Sequence, residues 1–170
     1  MFKTASSEVG AAYSIAQMIT FQQSEVKMAT LHRADALSIY CTMFNIYGLP
    51  QKQFDAFYAY DALREGKTEV ALTKGEELDG IYAAASCDGD YASVIVSQYR
   101  GAWRSYSFEL QGLDADADYE IDVYLTDDKR SMEKIGTKIG KGNALSLREY
   151  LKANSILVLK IKKVNLKQDA

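Results

Sequence analysis

Between Leu78 and Leu125 the chain carries four runs in which apolar and polar residues alternate, each closed by a short Gly- or Asp-rich turn. In Trp103-Arg104-Ser105-Tyr106-Ser107-Phe108-Glu109-Leu110, the residues Tyr106, Phe108 and Leu110 fall on one face and Ser105, Ser107 and Glu109 on the other. A strand turns its side chains over with period two, so this pattern predicts a sheet with one dry and one wet face. The other strands follow the same rule. Glu69–Thr73 reads as a first strand and Leu78–Cys87 as a second, with Ile81, Ala83, Ala85 and Cys87 on one face. Asp88-Gly89-Asp90 reads as a hairpin turn into Tyr91–Tyr99, where Val94 and Val96 share a face. Tyr119, Ile121, Val123 and Leu125 mark a later strand whose wet face is Asp118, Glu120 and Asp122. A polar segment is expected from Thr126 to about Gly142, then a short strand at Leu145 and Leu147, and a last one over Ser155–Lys163. Strands at this spacing indicate an antiparallel β-sandwich.

The residues before Gly66 have a different rhythm. Ser6 or Ser7 can cap a helix with Glu8 in its first turn, and Val9, Ala12, Tyr13, Ala16, Ile19 and Thr20 recur at helical spacing to about Gln23. Val26–Leu31 reads as a short strand, and Asn45 and Gly48 as turn formers in an irregular segment. Pro50 can open a second helix carrying Phe54, Phe57 and Tyr58, which Gly66 ends. The expected division is a helix-strand-loop-helix segment over residues 1–66 and a β-sandwich over 67–165. A strand between two helices calls for parallel partners, and no other βα unit is visible to supply them.

Size and charge narrow the function classes. A chain of 170 residues buries about 70% of its unfolded surface without needing disulfides or metal. Lys and Arg number 20 against 23 Asp and Glu, a net charge of −3, which argues against nucleic acid as a partner, since that needs a basic stripe. No apolar run approaches a membrane span, and no signal-peptide pattern is visible, so a soluble chain is expected. Cys41 and Cys87 lie far apart in no metal spacing, and two free buried thiols are expected rather than a disulfide.

Gly10-Ala11-Ala12-Tyr13, Val26–Arg33, Phe44-Asn45-Ile46-Tyr47-Gly48 and the helix Lys52–Tyr60 together resemble the end of a clan A glycoside hydrolase barrel. The nearest group is the family 39 type of β-xylosidase and α-L-iduronidase. The strand Tyr91–Tyr99 and Tyr124-Leu125-Thr126-Asp127-Asp128 resemble the accessory sandwich of those enzymes, whereas Gln53 stands where their final helix has proline. The resemblance implies a mainly β fold: an antiparallel sandwich carrying the last helix-strand-helix of a (β/α)8 barrel. Enzymes of this type use two glutamates, one at barrel strand four and one at strand seven. The matching segments follow strand seven, so neither glutamate can be carried over. The resemblance therefore implies a non-catalytic C-terminal region whose partner is the remaining barrel, in the same protein or in a partner chain. The residues alone leave open a free-standing carbohydrate-binding or adhesion-type sandwich, or an unrelated interaction module.

Candidate binding residues are few. His32, the only histidine, with Arg33 and Asp35, follows the strand Val26–Leu31, where such barrels contact substrate. The plainer reading is a loop salt bridge. Tyr99, Trp103 and Tyr106 are candidates to stack a sugar ring, unless Trp103 caps the core or a domain seam. Asp114, Asp116 and Asp118, with Asp127 and Asp128, lack the glycine and glutamate of a calcium loop and read as polar turns. Gly136, Gly140 and Gly142 lack the context of a phosphate loop. No cofactor or metal is expected.

Overall fold

The computed structural model describes residues 2–31, 43–72, 79–142 and 145–164. Helices come first: α1 (Phe2–Ala5), α2 (Glu8–Gln22) and α3 (Lys52–Asp61), the last running into a 3₁₀ turn at Ala62–Arg64. Eight strands follow: β1 (Thr68–Glu69), β2 (Ile81–Asp88), β3 (Tyr91–Gln98), β4 (Arg104–Glu109), β5 (Asp118–Thr126), β6 (Glu133–Lys141), β7 (Ser146–Leu151) and β8 (Ser155–Val164). Six form one antiparallel sheet in the order β1-β2-β3-β8-β5-β6, and β4 pairs with β7 in a second. The fold is mainly β and antiparallel, as expected.

The large sheet is dry on both faces at its centre. Val94, Val96, Leu157, Leu159 and Ile161 meet Tyr106, Leu147 and Leu151 of the small sheet in one core cluster. Ile95, Ile156, Val158 and Ala84 point the other way, into a second cluster with Ala11, Ile15 and Ile19 of α2 and Ala56 and Ala59 of α3. The expectation of one wet face thus holds for β5, where Asp118, Glu120 and Asp122 stay half-exposed, and fails for β3 and β8. Two helices take the place of solvent there. Their contacting side chains are mostly alanine, and small side chains let the helix axes approach the sheet and each other closely. The Ser97 hydroxyl donates to the Ala12 carbonyl at 2.7 Å across this buried layer, which satisfies a hydroxyl that is wholly buried there.

Local chemistry explains most element ends. Ser7 caps α2, its Oγ accepting from the Val9 amide at 3.3 Å. Gly89-Asp90 is the two-residue loop joining β2 to β3, with φ +59° at Gly89 as a II′ hairpin requires. Pro50 does not open α3. It lies in a β-bridge with Phe44, Gln51 takes the N-cap position without a side-chain capping bond, and the first helical residue is Lys52. The Asn45 side chain accepts from the amides of Tyr47 and Leu49 at 2.9 and 3.0 Å, and Gly48 takes φ +76°, so both act as turn formers.

Three strand expectations change. Val26–Leu31 forms no strand among the described residues, and the Val26 amide donates to Ser24 Oγ at 3.3 Å in a turn at its start. The polar stretch after Thr126 contains a whole strand, β6, exposed along its length and held by main-chain bonds to β5. It has no dry face to betray it, and its lysines and glycines suit an edge that must not recruit further strands. The first strand is only Thr68–Glu69. Cys87 is a half-buried free thiol rather than a buried one, and Cys41 lies outside the described residues.

Gly80, between the segments that lead into β2 and out of β3, has φ +77°, and a Cβ there would stand 2.5 Å from the Tyr99 carbonyl oxygen. Backbone atoms cannot yield as a flexible side-chain end can. Gly80→Ala is expected to lower the unfolding free energy by about 1–3 kcal/mol, read from the urea midpoint with the slope unchanged.

Candidate functional site

Two constructions stand out, one joining the helical layer to the sheet and one on the far side of the sandwich. The first begins at α3. Asp55 lies in the first turn of that helix, and the residue is only 6% exposed. Its Oδ2 accepts from the hydroxyl of Thr126, the last residue of β5, at 3.0 Å and from that of Ser131, in the β5–β6 connection, at 2.6 Å. The Met132 amide in turn donates to Thr126 Oγ1 at 2.9 Å. Beside it, Asp127 folds the same connection: its Oδ1 accepts from the amides of Lys129 and Arg130 at 2.8 and 2.9 Å, and its Oδ2 from the Arg130 guanidinium at 2.8 Å. Lys52 Nζ closes the junction on the Asp127 carbonyl. Burial pushes the Asp55 carboxyl up, against the two hydroxyl donors and the Lys52 charge. Asp127 is also buried, but the two amides and the cations of Arg130 and Lys152 overcome that cost and hold it low. The arrangement is a polar lock between α3 and the end of β5. Asp55, Thr126 and Asp127 are buried in it, so their polar atoms serve to hold the elements together.

The second construction lies on the outer face of the small sheet. Trp103, just before β4, is 70% exposed, and Tyr150 of β7 is 64% exposed. Their ring centroids are 6.5 Å apart with planes inclined by 57°.

The aromatic candidates Tyr99, Trp103 and Tyr106 are not brought together. His32, Arg33 and Asp35 lie outside the described residues. Trp103 is exposed as a stacking residue must be, but its ring partner is Tyr150. Tyr99 pairs instead with Tyr13 at 5.3 Å under the Arg100 guanidinium, and Tyr106 is buried in the core. Tyr150 was legible in principle, since inward Leu147 and Leu151 place it outward by period two. Asp55 and Ser131 carried no such signal. Three of the acidic candidates are tied to lysines: Asp114 to Lys163 at 2.9 Å, Asp118 to Lys141 at 3.3 Å and Asp128 to Lys152 at 2.6 Å. No grouping of three or more metal-ligating side chains occurs among the described residues. Nor is any helix among them long and apolar enough to cross a membrane.

Large apolar side chains are also exposed on two segments beside the helices. Val26, Met28 and Leu31 lie on the unpaired stretch, with Met28 83% exposed, and Ile46, Tyr47 and Leu49 on the turn that Asn45 holds.

No family model matches the sequence, and no curated protein matches it. Solved structures do match. A glucosidase from Croceicoccus marinus superposes with a TM-score of 0.75 at 20% identity, over 93% of this chain and 42% of that one. A monomeric beta-xylosidase from Caulobacter crescentus CB15 gives 0.73 at 12% identity, over 95% of this chain and 43% of that one. At these identities the likeness is one of fold. The chain has the fold of part of a glycoside hydrolase, spans about two fifths of such enzymes, and fits a C-terminal region of them. The more particular likeness drawn from the sequence holds as well: the GH39 enzyme from Xanthomonas axonopodis pv. citri superposes at 0.71 and 12% identity, over 95% of this chain and 42% of that one.

Proposed function

We propose that the chain is the C-terminal accessory region of a glycoside hydrolase, structural rather than catalytic by itself. Residues 1–66 are its contact with the catalytic part, and 67–165 form the brace behind it. The observation that carries this reading is the unpaired stretch Val26–Leu31, which holds apolar side chains in solvent next to helices that pack firmly on the sheet. Exposed apolar groups gathered on ordered segments mark a surface meant to be covered. Here the cover is the remainder of the enzyme. The carboxyls support the same view. Glycoside hydrolysis needs a proton-donating acid facing an open cleft, and Asp55, the carboxyl among the described residues that burial pushes up, is buried and bonded to Thr126 and Ser131.

The purified chain is expected to release nothing above background from aryl-β-xylosides and aryl-β-glucosides. Turnover would place a catalytic pair within these residues and end the non-catalytic reading. The seam has its own check. Met28→Lys is expected to change stability by less than about 0.5 kcal/mol, as at ordinary surface positions, while lowering the binding of a hydrophobic dye. A large loss of stability would mean that Met28 already packs against its own chain.

A further inference from the structure

The small sheet turns one face to the core and the other to solvent. Tyr106, Leu147 and Leu151 go inward. The cross-strand pairs of the outer face are Ser105 with Tyr150, Ser107 with Arg148 and Glu109 with Ser146. Arg148 Nε donates to Ser105 Oγ at 2.7 Å, beneath the aromatic pair. The inclined rings of Trp103 and Tyr150 therefore form a shallow trough at one end of a row of hydroxyls, a guanidinium and a carboxylate.

The trough stands on a braced turn. Gln98 is wholly buried, and its Nε2 donates to the Ala102 carbonyl, one residue before the indole. The Tyr99 amide donates to the Gly80 carbonyl at 2.8 Å, and the Arg100 amide to Asn154 Oδ1 at 3.1 Å. An exposed aromatic on so fixed a backbone loses little freedom when something stacks on it, and that saving appears as affinity.

The chemistry of the face selects the occupant. A stable protein interface buries about 800 Å² per partner around an apolar centre, and two aromatic rings among serines do not provide one. Charge does not select an acidic ligand, because the outward row carries one arginine, Arg148, and one glutamate, Glu109. A pyranose ring has an apolar C–H face and a rim of hydroxyls that both donate and accept. We propose that this outer face binds a neutral glycan chain, with one sugar ring in the Trp103–Tyr150 trough and the hydroxyls of its neighbour on Ser105, Ser107 and Arg148. The site lies on the layer opposite the helices and does not depend on the seam proposed above.

Trp103 is the only tryptophan in the chain, so its emission reports the trough directly. The full chain is titrated with xylohexaose and with cellohexaose, and its retention on insoluble xylan and cellulose is measured. At least one hexaose is expected to shift the emission, and the matching polymer to retain the chain. Trp103→Ala is expected to weaken retention by about tenfold or more, and Tyr150→Ala by several-fold, in keeping with the loss of a stacked ring. Tyr91→Ala, an exposed aromatic at the start of β3, is expected to retain as the parent does. Circular dichroism and the thermal midpoint confirm that each variant is folded, and the emission titration of the parent chain needs no variant. No emission change with either hexaose overturns the proposal. So does undiminished retention of a folded Trp103→Ala chain, or a response to a proline-rich peptide in place of the glycans.

Discussion

Replacing Asp55 with alanine is expected to lower the unfolding free energy by about 2–3 kcal/mol, the cost of stripping a buried acceptor from its donors. The Thr126 and Ser131 hydroxyls that now meet Oδ2 would face an empty site, with Thr126 fully buried. Urea unfolding followed by circular dichroism measures the loss. Asp55→Asn keeps an acceptor oxygen in place and is expected to lose much less. The two substitutions also separate in pH. Because the folded Asp55 carboxyl is held above its ordinary value of 3.8, the folded state binds more protons than the unfolded one just above that value. Stability contributed by this group therefore falls as pH rises from 3.8 through the raised value. Asp127 is held low, so its contribution is present above 3.8 and is lost as pH falls through its lowered value. The parent chain should thus lose stability on the acid side through Asp127 and show a second decline above 3.8 through Asp55. In Asp55→Asn only the acid-side loss should remain. An unchanged slope above 3.8 would refute the assignment to Asp55.

Ile95→Ala is expected to cost about 2–5 kcal/mol, as for a large side chain removed from a closed core. Ile95 is completely buried against the helical layer, whereas its neighbours Val94 and Val96 face the small sheet. Were the helix-side face of β3 open to water, this residue would resemble an exposed strand position and alanine there would cost a fraction of that. The urea midpoint of Ile95→Ala, set beside that of Val96→Ala, therefore measures how firmly α2 and α3 close the second face. Comparable losses mean a sheet covered on both sides. A loss below about 0.5 kcal/mol at Ile95, typical of surface sites, would mean that the helices are a loose attachment.

A strand with one dry face was legible in full, its facing as well as its existence. β5 alternates Tyr119, Ile121 and Val123 with three acids, and the structure keeps that division. β3 and β8 read equally well as strands, but their second dry face was hidden. Val94-Ile95-Val96 and Ile156-Leu157-Val158-Leu159 are apolar at successive positions, and such runs report burial without saying what lies on either side. β6 was missed for the opposite reason: Ile135 and Ile139 are both exposed, and only main-chain bonds to β5 make it a strand. At the candidate site, Trp103 was legible as a lone aromatic beside a turn. Its partner Tyr150 is 47 positions away in the chain, and the ring contact arises only because β4 and β7 pair.

The local code of the chain settled most of its one-sided strands and the start of its long helix, because pleat, cap and turn act between residues a few positions apart. Ser7, Gly89, Asn45 and Gly48 each do what their own chemistry dictates. Tertiary packing alone decided that helices cover the second face of the large sheet, that Asp55 is sealed against Thr126 and Ser131, and that Trp103 stands beside Tyr150. Each of these is a meeting of residues from distant parts of the chain. Such meetings depend on which surfaces are complementary once the elements exist, and no short stretch of sequence contains both halves of a surface.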